Sequence, residues 1–317
     1  MQTQDYAVLS AAFNAVSQGQ DCWLATVVAV HGSSPRPAGS LALFLPPTSQ
    51  VGSLSGGCVE EELQASIVRG EFALDVPQVL EYGVSAEENA RLGLPCGGHL
   101  TVFLQRLMAS KDLHWLQSVK DIIEMRQVAT RVVNRQHGAT TVSVAERFGE
   151  LSFGDEALHQ SFGPRQRMLL VGAGQLAASV AELALGLDYD VLVCDPRDDA
   201  RADWRGPPVS LLSAMPDDAV RDHADDPQSV VITLTHDPRI DDMALMEALE
   251  SKAWYVGALG SMRTTEQRKE RLSTLGVARD AIDRLHAPVG LDIGSKTPPE
   301  IAVSIIAELV RLRRRGV

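Results

Sequence analysis

The sequence predicts an α/β protein in which a doubly wound parallel sheet follows a smaller domain of mixed α+β structure. Two observations predict the sheet. From residue 167 onward, short apolar runs typical of strands alternate with helical segments, and a glycine-rich turn follows the first of these runs. The first half lacks that alternation. We therefore expect domains at 1–150 and 163–317, with the boundary in the polar, glycine-containing stretch from about 149 to 166.

In the first half, apolar patterning and turn residues predict helices and strands in no regular order. Helices are expected at 3–18, 58–70 and 111–126. Strands are expected at 22–30, 41–46, 51–57, 79–83 and 99–107, and in a closing pair, VATRVVN (128–134) and TTVSVAERF (140–148). A Pro-Pro turn separates the second and third of these strands.

In the second half, five apolar runs predict the strands of the parallel sheet: RMLLVG (167–172), DVLVCD (190–195), SVVITLT (229–235), AWYVGAL (253–259) and RLHAPV (284–289). The last helix has a clear start. Thr297 is a favoured N-cap residue, prolines fill the first turn, and Glu300 completes a capping box.

Composition excludes several classes of partner. Of 317 residues, 45% are hydrophobic and 22% charged, which is typical of a globular protein. The formal net charge of −12 weighs against nucleic acids and acidic membranes, because binding to either needs clustered cations. No stretch approaches the roughly 18–20 apolar residues of a membrane span, and the first residues lack the pattern of a signal peptide. We expect a cytoplasmic protein with no membrane span and no nucleic-acid partner.

A dinucleotide-binding fingerprint of the Rossmann type opens the second half. A strand runs into Gly172-Ala173-Gly174, a helix follows at Gln175, and the second strand ends at Asp195. Gly172 permits the tight turn, Gly174 lets the backbone approach a pyrophosphate, and the helix N-terminus offers its N–H groups to the anion. The carboxylate of Asp195 suits a ribose diol and disfavours a 2′-phosphate. The alternative is the same fold with an empty site.

Two more polar segments follow strands of the predicted sheet, Thr235–Pro238 and Gly260–Arg263. The carboxyl ends of parallel strands line the crevice in which such folds bind ligands. His236, Asp237 and Arg263 are therefore candidate ligand contacts. A buried structural role for His236 stays open.

Three polar, glycine-containing loops stand out in the first half: HGSSPRP (31–37), SGGC (55–58) and PCGG (95–98). Glycine pairs expose backbone N–H groups and permit close approach of a ligand, and an arginine can bind phosphate in a bidentate manner. The candidate contacts are one arginine, four glycines and two cysteines: Arg36, Gly56, Gly57, Gly97, Gly98, Cys58 and Cys96.

The four cysteines fall into two pairs by context. Cys22 and Cys194 lie inside apolar strands, where a packing role is expected. Cys58 and Cys96 flank glycine turns, and their thiolates would be soft ligands for a transition metal or a sulfur-bearing cofactor. The alternative for this second pair is also simple packing. No CxxC spacing occurs, so a structural zinc site is not expected.

Taken together and in order, eight segments spanning both halves resemble the XdhC/CoxI family of xanthine and aldehyde dehydrogenase accessory proteins. They are GSSPRPAG (32–39), GSLSGGCVEEEL (52–63), GLPCGG (93–98), GAGQLA (172–177), CDPR (194–197), THDPRIDD (235–242), YVGALGSMRTTEQRKERL (255–272) and HAPVGLDIGSKTPPEIAVSIIAEL (286–309). Two positions depart from the family pattern. Gln175 stands where the family often has histidine, and Met262 stands where a second arginine is common.

The resemblance implies an accessory protein rather than a turnover enzyme. Such proteins bind the molybdenum cofactor, as molybdopterin or its cytosine dinucleotide, protect it, support replacement of an oxo ligand by sulfur, and pass it to an apo-hydroxylase of the xanthine or aldehyde dehydrogenase type. The implied partners are that hydroxylase and a cysteine desulfurase as sulfur donor. By motif, Cys58 and Cys96 are the candidate metal ligands. The client and the oligomeric state, including a homodimer, stay open.

Two rival functions remain. The Rossmann fingerprint alone would also suit a NAD-dependent oxidoreductase. That hypothesis needs a proton-transfer group at the crevice, and the sequence offers no convincing catalytic constellation. The second rival is a protein-interaction module whose Rossmann site is empty.

Overall fold

A computed structural model describes residues 3–32, 36–72, 76–85, 87, 98–146 and 148–315 of the chain. These residues form two compact units, Met1–Pro164 and Arg165–Val317. The first unit mixes helices with antiparallel sheets and the second is a parallel α/β sheet, so the predicted fold class is confirmed. The two units are of nearly equal length, whereas the sequence suggested a smaller first domain.

A five-stranded antiparallel sheet forms the centre of the first unit. Its strands are β1 (Cys22–His31), β2 (Leu41–Leu45), β3 (Ser49–Gly52), β4 (Gln78–Tyr82) and β5 (His99–Leu107), in the order β3-β2-β1-β5-β4. The described helices of this unit are α1 (Thr3–Ser17), α2 (Cys58–Val68) and α3 (Ala109–Glu124). The expected strand at 51–57 is wrong for its second part, because β3 ends at Gly52 and residues 53–57 form a loop.

The strand period of two sends alternate residues of β1 to opposite faces of this sheet. Trp23 and Ala25 pack in one cluster with Val59 and Leu63 of α2. Leu24 packs on the other face, in the cluster that contains α1 and α3. The sheet is thus covered by helices on both faces, and α2 starts from a loop at its edge.

A second, four-stranded antiparallel sheet completes the unit. It contains β6 (Val128–Asn134), β7 (Thr140–Ala145), β8 (Ser152–Phe153) and β9 (Ala157–Phe162), in the order β7-β6-β9-β8. Its last two strands occupy the stretch that the sequence suggested as a linker. The reason lies in β9, where buried Leu158 and Phe162 alternate with more exposed polar residues. Such a half-buried strand is polar enough to resemble a loop.

The second unit has six parallel strands: β10 (Arg167–Val171), β11 (Asp190–Cys194), β12 (Ser210–Leu212), β13 (Ser229–Thr233), β14 (Tyr255–Ala258) and β15 (Leu285–His286). Their order is β12-β11-β10-β13-β14-β15, which is the order of the dinucleotide-binding Rossmann fold. The sequence predicted five of them and missed β12, an edge strand of three residues. The strand order reverses between β10 and β13, where ligands bind in such sheets.

Helices cover both faces of this sheet, as a doubly wound fold requires. They are α4 (Gln175–Gly186), α5 (Asp198–Ala202), α6 (Pro216–His223), α7 (Pro238–Glu250), α8 (Met262–Thr274), α9 (Arg279–Asp283) and α10 (Pro298–Arg315). Helices α4 and α10 share one apolar cluster, and α6 to α9 contribute to the opposite one. One half of the predicted capping box is observed, since Glu300 accepts hydrogen bonds from the N–H groups of Lys296 and Thr297. None of the helices in the described ranges is both long and apolar enough to cross a bilayer.

Candidate cofactor-binding site

The turn between β10 and α4 has a backbone that only glycine suits at its first position. Gly172 has a φ of +109°, and a Cβ placed there would lie 2.7 Å from Cγ2 of Thr235. Its N–H donates to the carbonyl of Cys194 at 2.7 Å, which ties the turn to the end of β11. Gly172 is therefore required by the fold itself.

Gly174, two residues further on, is in a different situation. It is exposed, its φ is an ordinary −90°, and a Cβ there would meet no atom within 4 Å. It is the N-cap of α4, whose first turn contains no acidic residue. The first N–H groups of a helix have no partners within the helix and carry partial positive charge. This end of α4 therefore suits an anion that approaches the open backbone at Gly174.

A groove of about 870 Å³ opens beside this turn. One wall is the turn and the exposed face of α4, including Gly174, Gln175 and Glu182. The other wall comes from the segment after β11, which contributes Arg197, Ala200, Asp203, Arg205, Gly206 and Pro207. The volume falls within the range of small-molecule sites. A ligand in this groove would meet a helix N-terminus and two arginines.

Asp195, the predicted contact for a ribose diol, is fully buried and already engaged. It accepts a hydrogen bond from the N–H of Ala173 at 2.9 Å. The guanidinium of Arg197 binds it through Nε at 2.9 Å and Nη2 at 2.8 Å. Burial alone would raise the pKa of Asp195, but these hydrogen bonds hold the pKa below its ordinary value. In this arrangement Asp195 anchors Arg197 and does not face the groove, contrary to the role suggested by the sequence.

The segment after β13 adds charged groups at the same edge of the sheet. Asp237 caps α7 by accepting the N–H of Arg239, whose guanidinium also binds it at 2.7 Å. These bonds lower the pKa of Asp237 to about 2, with a smaller contribution from Arg197. Arg197, which follows β11, and Asp237, which follows β13, are therefore close enough to influence each other electrostatically. His236 is exposed, so the buried structural role is not the one observed.

The segment after β14 supports this edge through a buried ion pair. Arg268 of α8 lies 3.0 Å from Asp241 and donates to the carbonyl of Leu259 at 2.9 Å. Asp241 also accepts the hydroxyl of Thr235 at 2.7 Å. Arg263, the candidate anion contact, is exposed near the start of α8.

In the first unit, the SGGC loop is organised by a carboxylate of its own. Glu60 is 4% exposed and accepts six hydrogen bonds of 2.6–3.1 Å. Four come from backbone N–H groups, those of Leu54, Ser55, Gly56 and Gly57. The N–H groups of the two glycines, expected to face a ligand, are therefore occupied from within the protein.

Cys58 is the first residue of α2 and its side chain is exposed. The loop fixed by Glu60 places it at the start of the helix, where solvent can reach its side chain. Cys22 and Cys194 are fully buried, as the sequence predicted. Burial raises the pKa of Cys22 to about 12 and that of Cys194 to about 11, which makes both inert thiols.

The remaining candidates of the first unit are only partly described. Arg36 is half-buried. Gly98 is buried and precedes β5, whereas Cys96 and Gly97 lie outside the described residues. His31 pairs with His99 across β1 and β5, so the chain leaves β1 beside the point where it enters β5. Within the described residues, no group of three or more His, Cys, Asp or Glu side chains is arranged to hold a metal ion.

Sequence reasoning missed two residues that shape these sites, Glu60 and Arg197. Glu60 has a signal in the sequence, because an acid three residues after a helix N-cap is typical of a capping box. Arg197 follows Asp195 by two positions, and an arginine near that strand end is a known device for binding phosphate in Rossmann folds. Neither signal tells which partner the residue takes.

The strand order and the glycine turn define the second unit as a Rossmann-type α/β domain. The sequence profile of the XdhC Rossmann domain matches residues 168–309, and that of the XdhC and CoxI family matches residues 15–83. The chain belongs to the XdhC and CoxI family.

Two curated relatives match almost the whole chain. It is 27% identical over 321 residues to a probable xanthine dehydrogenase subunit of Bacillus subtilis, covering 93% of this chain and 94% of the relative. It is 27% identical over 319 residues to the molybdenum cofactor insertion chaperone PaoD of Escherichia coli, covering 98% and 90%. A crystal structure described as a xanthine dehydrogenase from Bacillus halodurans matches with a TM-score of 0.72 and 27% identity, over 98% and 96% of the two chains.

Proposed function

We propose that this chain binds a molybdenum cofactor and delivers it to a molybdenum enzyme of the xanthine dehydrogenase type. The observation that carries the proposal is the nearly full-length similarity to a molybdenum cofactor insertion chaperone. The relative from Bacillus subtilis points to the same class of client.

The residues present suit such a cofactor. Its phosphate groups would be held by the N-terminus of α4, the open backbone at Gly174 and the guanidinium of Arg197. In the first unit, considered by itself, the exposed thiol of Cys58 is the kind of soft ligand that a sulfur-rich metal centre prefers. When bound, the cofactor supplies the molybdenum centre that the client uses. The chain itself would orient the cofactor through these contacts.

We extend the proposal to sulfuration. Cys58 and Cys96 would retain the cofactor while a cysteine desulfurase provides sulfur, before transfer to the apo-hydroxylase. The exposure of Cys58 supports this, because a partner can reach a thiol at the surface. The rival function of a NAD-dependent oxidoreductase is less well supported, since the carboxylate expected to bind the adenosine ribose is occupied by Arg197.

The first experiment identifies the ligand. The full chain is purified from cells that make the cofactor, denatured, and its released ligand is oxidised and quantified as fluorescent pterin. We expect close to one pterin per chain. Released nicotinamide nucleotide without pterin, or no pterin at all, would contradict the proposal.

The second experiment tests delivery. A cognate hydroxylase is co-expressed with the wild-type chain, with Cys58→Ala or with Glu61→Ala. Glu61 is the matched control, because it is an exposed residue of the same first helical turn. We expect an inactive or desulfo hydroxylase with Cys58→Ala alone. Full hydroxylase activity with that variant would remove Cys58 from the proposed mechanism.

A further inference from the structure

We infer that the groove of the second unit selects a ligand that presents a phosphomonoester to Arg197, rather than one that presents a ribose diol to Asp195. This inference rests on the proposed function, because it concerns the ligand of the same groove. It reverses the preference that an acid at the end of β11 implies when the sequence is considered alone.

The first step is the saturation of Asp195. Its Oδ1 accepts the backbone N–H of Arg197 at 3.1 Å and Nε at 2.9 Å. Its Oδ2 accepts the N–H of Ala173 at 2.9 Å and Nη2 of Arg197 at 2.8 Å. The side chain has no exposed surface. A ribose diol would have to break charge-assisted hydrogen bonds to reach this carboxylate, and would replace them with weaker ones.

The second step is the position of Arg197. Its side chain is 47% exposed and lines the groove, while the carboxylate that holds it lies beneath. The bidentate contact restrains the guanidinium, so a ligand does not have to order a free arginine side chain. A guanidinium in this position suits the oxygens of a phosphate group.

The third step concerns charge. A phosphomonoester carries close to two negative charges at neutral pH, whereas each phosphate of a diester carries one. Arg205 adds a second cation to the same wall, although Asp203 lies 3.9 Å from it and Glu182 faces the groove from α4. The dianion gains most from a fixed cation beside a helix N-terminus. The lining holds as many acids as arginines, so any preference for the phosphomonoester comes from the exposed edge of Arg197 beside the start of α4 and not from the net charge of the groove.

Two sources can supply this chemistry. One source is a 2′-phosphate on a dinucleotide. The other is the terminal phosphate of a cofactor that carries no second nucleotide, such as molybdopterin itself. Isothermal titration of the full chain separates them with two pairs of probes. The first pair is ADP-ribose 2′-phosphate and ADP-ribose, and the second pair is flavin mononucleotide and flavin adenine dinucleotide.

We expect the phosphomonoester to bind at least about tenfold more tightly than its partner in one of the two pairs, which corresponds to about 1.4 kcal/mol. A preference in the first pair identifies the 2′-phosphate, and one in the second pair identifies a terminal phosphate. Equal affinities within both pairs, a preference for the diol forms, or no binding of any probe would overturn the inference.

The variant Arg197→Ala gives a sharper test, because it frees the carboxylate of Asp195 to accept a diol. The preference should then invert: the phosphomonoester probe weakens and its diol partner strengthens. Arg205→Ala is the matched control, since Arg205 lines the same groove without contacting Asp195. It should lower the preference for the phosphomonoester by less than Arg197→Ala does, and it should not invert that preference. An unchanged ratio in Arg197→Ala would overturn the inference.

If circular dichroism shows that Arg197→Ala is unfolded, Arg197→Lys replaces it. Lysine keeps the charge but loses the bidentate geometry, so the preference should fall without inverting. A full wild-type preference in that variant would then count against the inference. The pterin and client assays are independent of these titrations. If the chain contains the expected pterin but the titrations show no preference, only the inferred selectivity of the groove is overturned. If the titrations show the preference but the chain contains no pterin, the proposed function is overturned.

Discussion

Each unit contains a glycine-rich turn that leads into a helix, and the two turns differ in what their backbone N–H groups bind. In the first unit, the N–H groups of residues 54–57 surround the carboxylate of Glu60. In the second unit, Asp195 takes the N–H of Ala173, whereas Gly174 and the start of α4 face an open groove. One turn is filled by the protein, and the other is partly left for a ligand.

The difference follows from a single position in each helix. Glu60 is the third residue of α2, where its carboxylate can fold back onto the preceding loop. The first turn of α4 has no acid that could do the same. A glycine turn before a helix is therefore a sign of an anion site, and the residues of the first helical turn decide whether the anion is internal.

The largest effect is expected from removing the internal anion. Glu60→Ala leaves four backbone N–H groups of the loop without their acceptor, and unsatisfied buried donors are costly. We expect the free energy of unfolding to fall by at least about 3 kcal/mol. Chemical denaturation measures it. Glu61→Ala, at the exposed neighbouring position, should change it by less than about 0.5 kcal/mol. A similar loss in both variants would show that the loop does not depend on this carboxylate.

The same carboxylate should give the protein a characteristic pH dependence. Burial alone would raise the pKa of Glu60, but hydrogen bonds from the loop lower it from 4.5 to about 2. The stabilisation is thus fully present above pH 4.5 and is lost as the pH falls towards 2. The advantage of wild type over Glu60→Gln should shrink by on the order of 3 kcal/mol across this window. An advantage that stays constant between pH 5 and 2 would contradict the assignment.

A smaller effect should separate the two glycines of the Rossmann turn. Gly172→Ala adds a Cβ 2.7 Å from Thr235 at a φ of +109°, so it should destabilise the chain by at least about 2 kcal/mol. Gly174→Val should cost less than about 1 kcal/mol, since the site is open. The valine side chain would nevertheless block the approach of a pyrophosphate, and we expect at least tenfold weaker binding of ADP-ribose 2′-phosphate.

Thermal denaturation and titration distinguish the roles of these glycines. The assignment of Gly174 to binding would be wrong if its valine variant bound the probe as tightly as the parent. The assignment of Gly172 to folding would be wrong if the Gly172→Ala variant had the same melting temperature as the wild type.

These two turns also show how far the sequence alone reaches. The strand and helix alternation, the fingerprint and the position of Gly172 were predictable, because periodicity and backbone geometry are local properties. The partner of Asp195 was not predictable. A carboxylate at the end of β11 is compatible with a ribose, with a backbone N–H or with Arg197, and only the folded arrangement selects among them. Similarly, the sequence placed Gly56 and Gly57 at a turn but could not show that Glu60 occupies them.

The smallest effect on stability is expected at Cys58, where the filled turn of the first unit presents a side chain to solvent. Cys58→Ala removes an exposed thiol and should change the free energy of unfolding by less than about 1 kcal/mol. The rate of thiol alkylation should show whether Cys58 is accessible, which a stability measurement cannot show. Alkylation with iodoacetamide, followed by peptide mapping, should modify Cys58 in the folded protein at least about tenfold faster than Cys22 or Cys194, whose thiols are buried and have raised pKa values. Unfolding in denaturant should abolish that difference, which serves as the control. If Cys58 reacts as slowly as the buried pair in the folded chain, then the loop around Glu60 does not present it to a cofactor or to a partner.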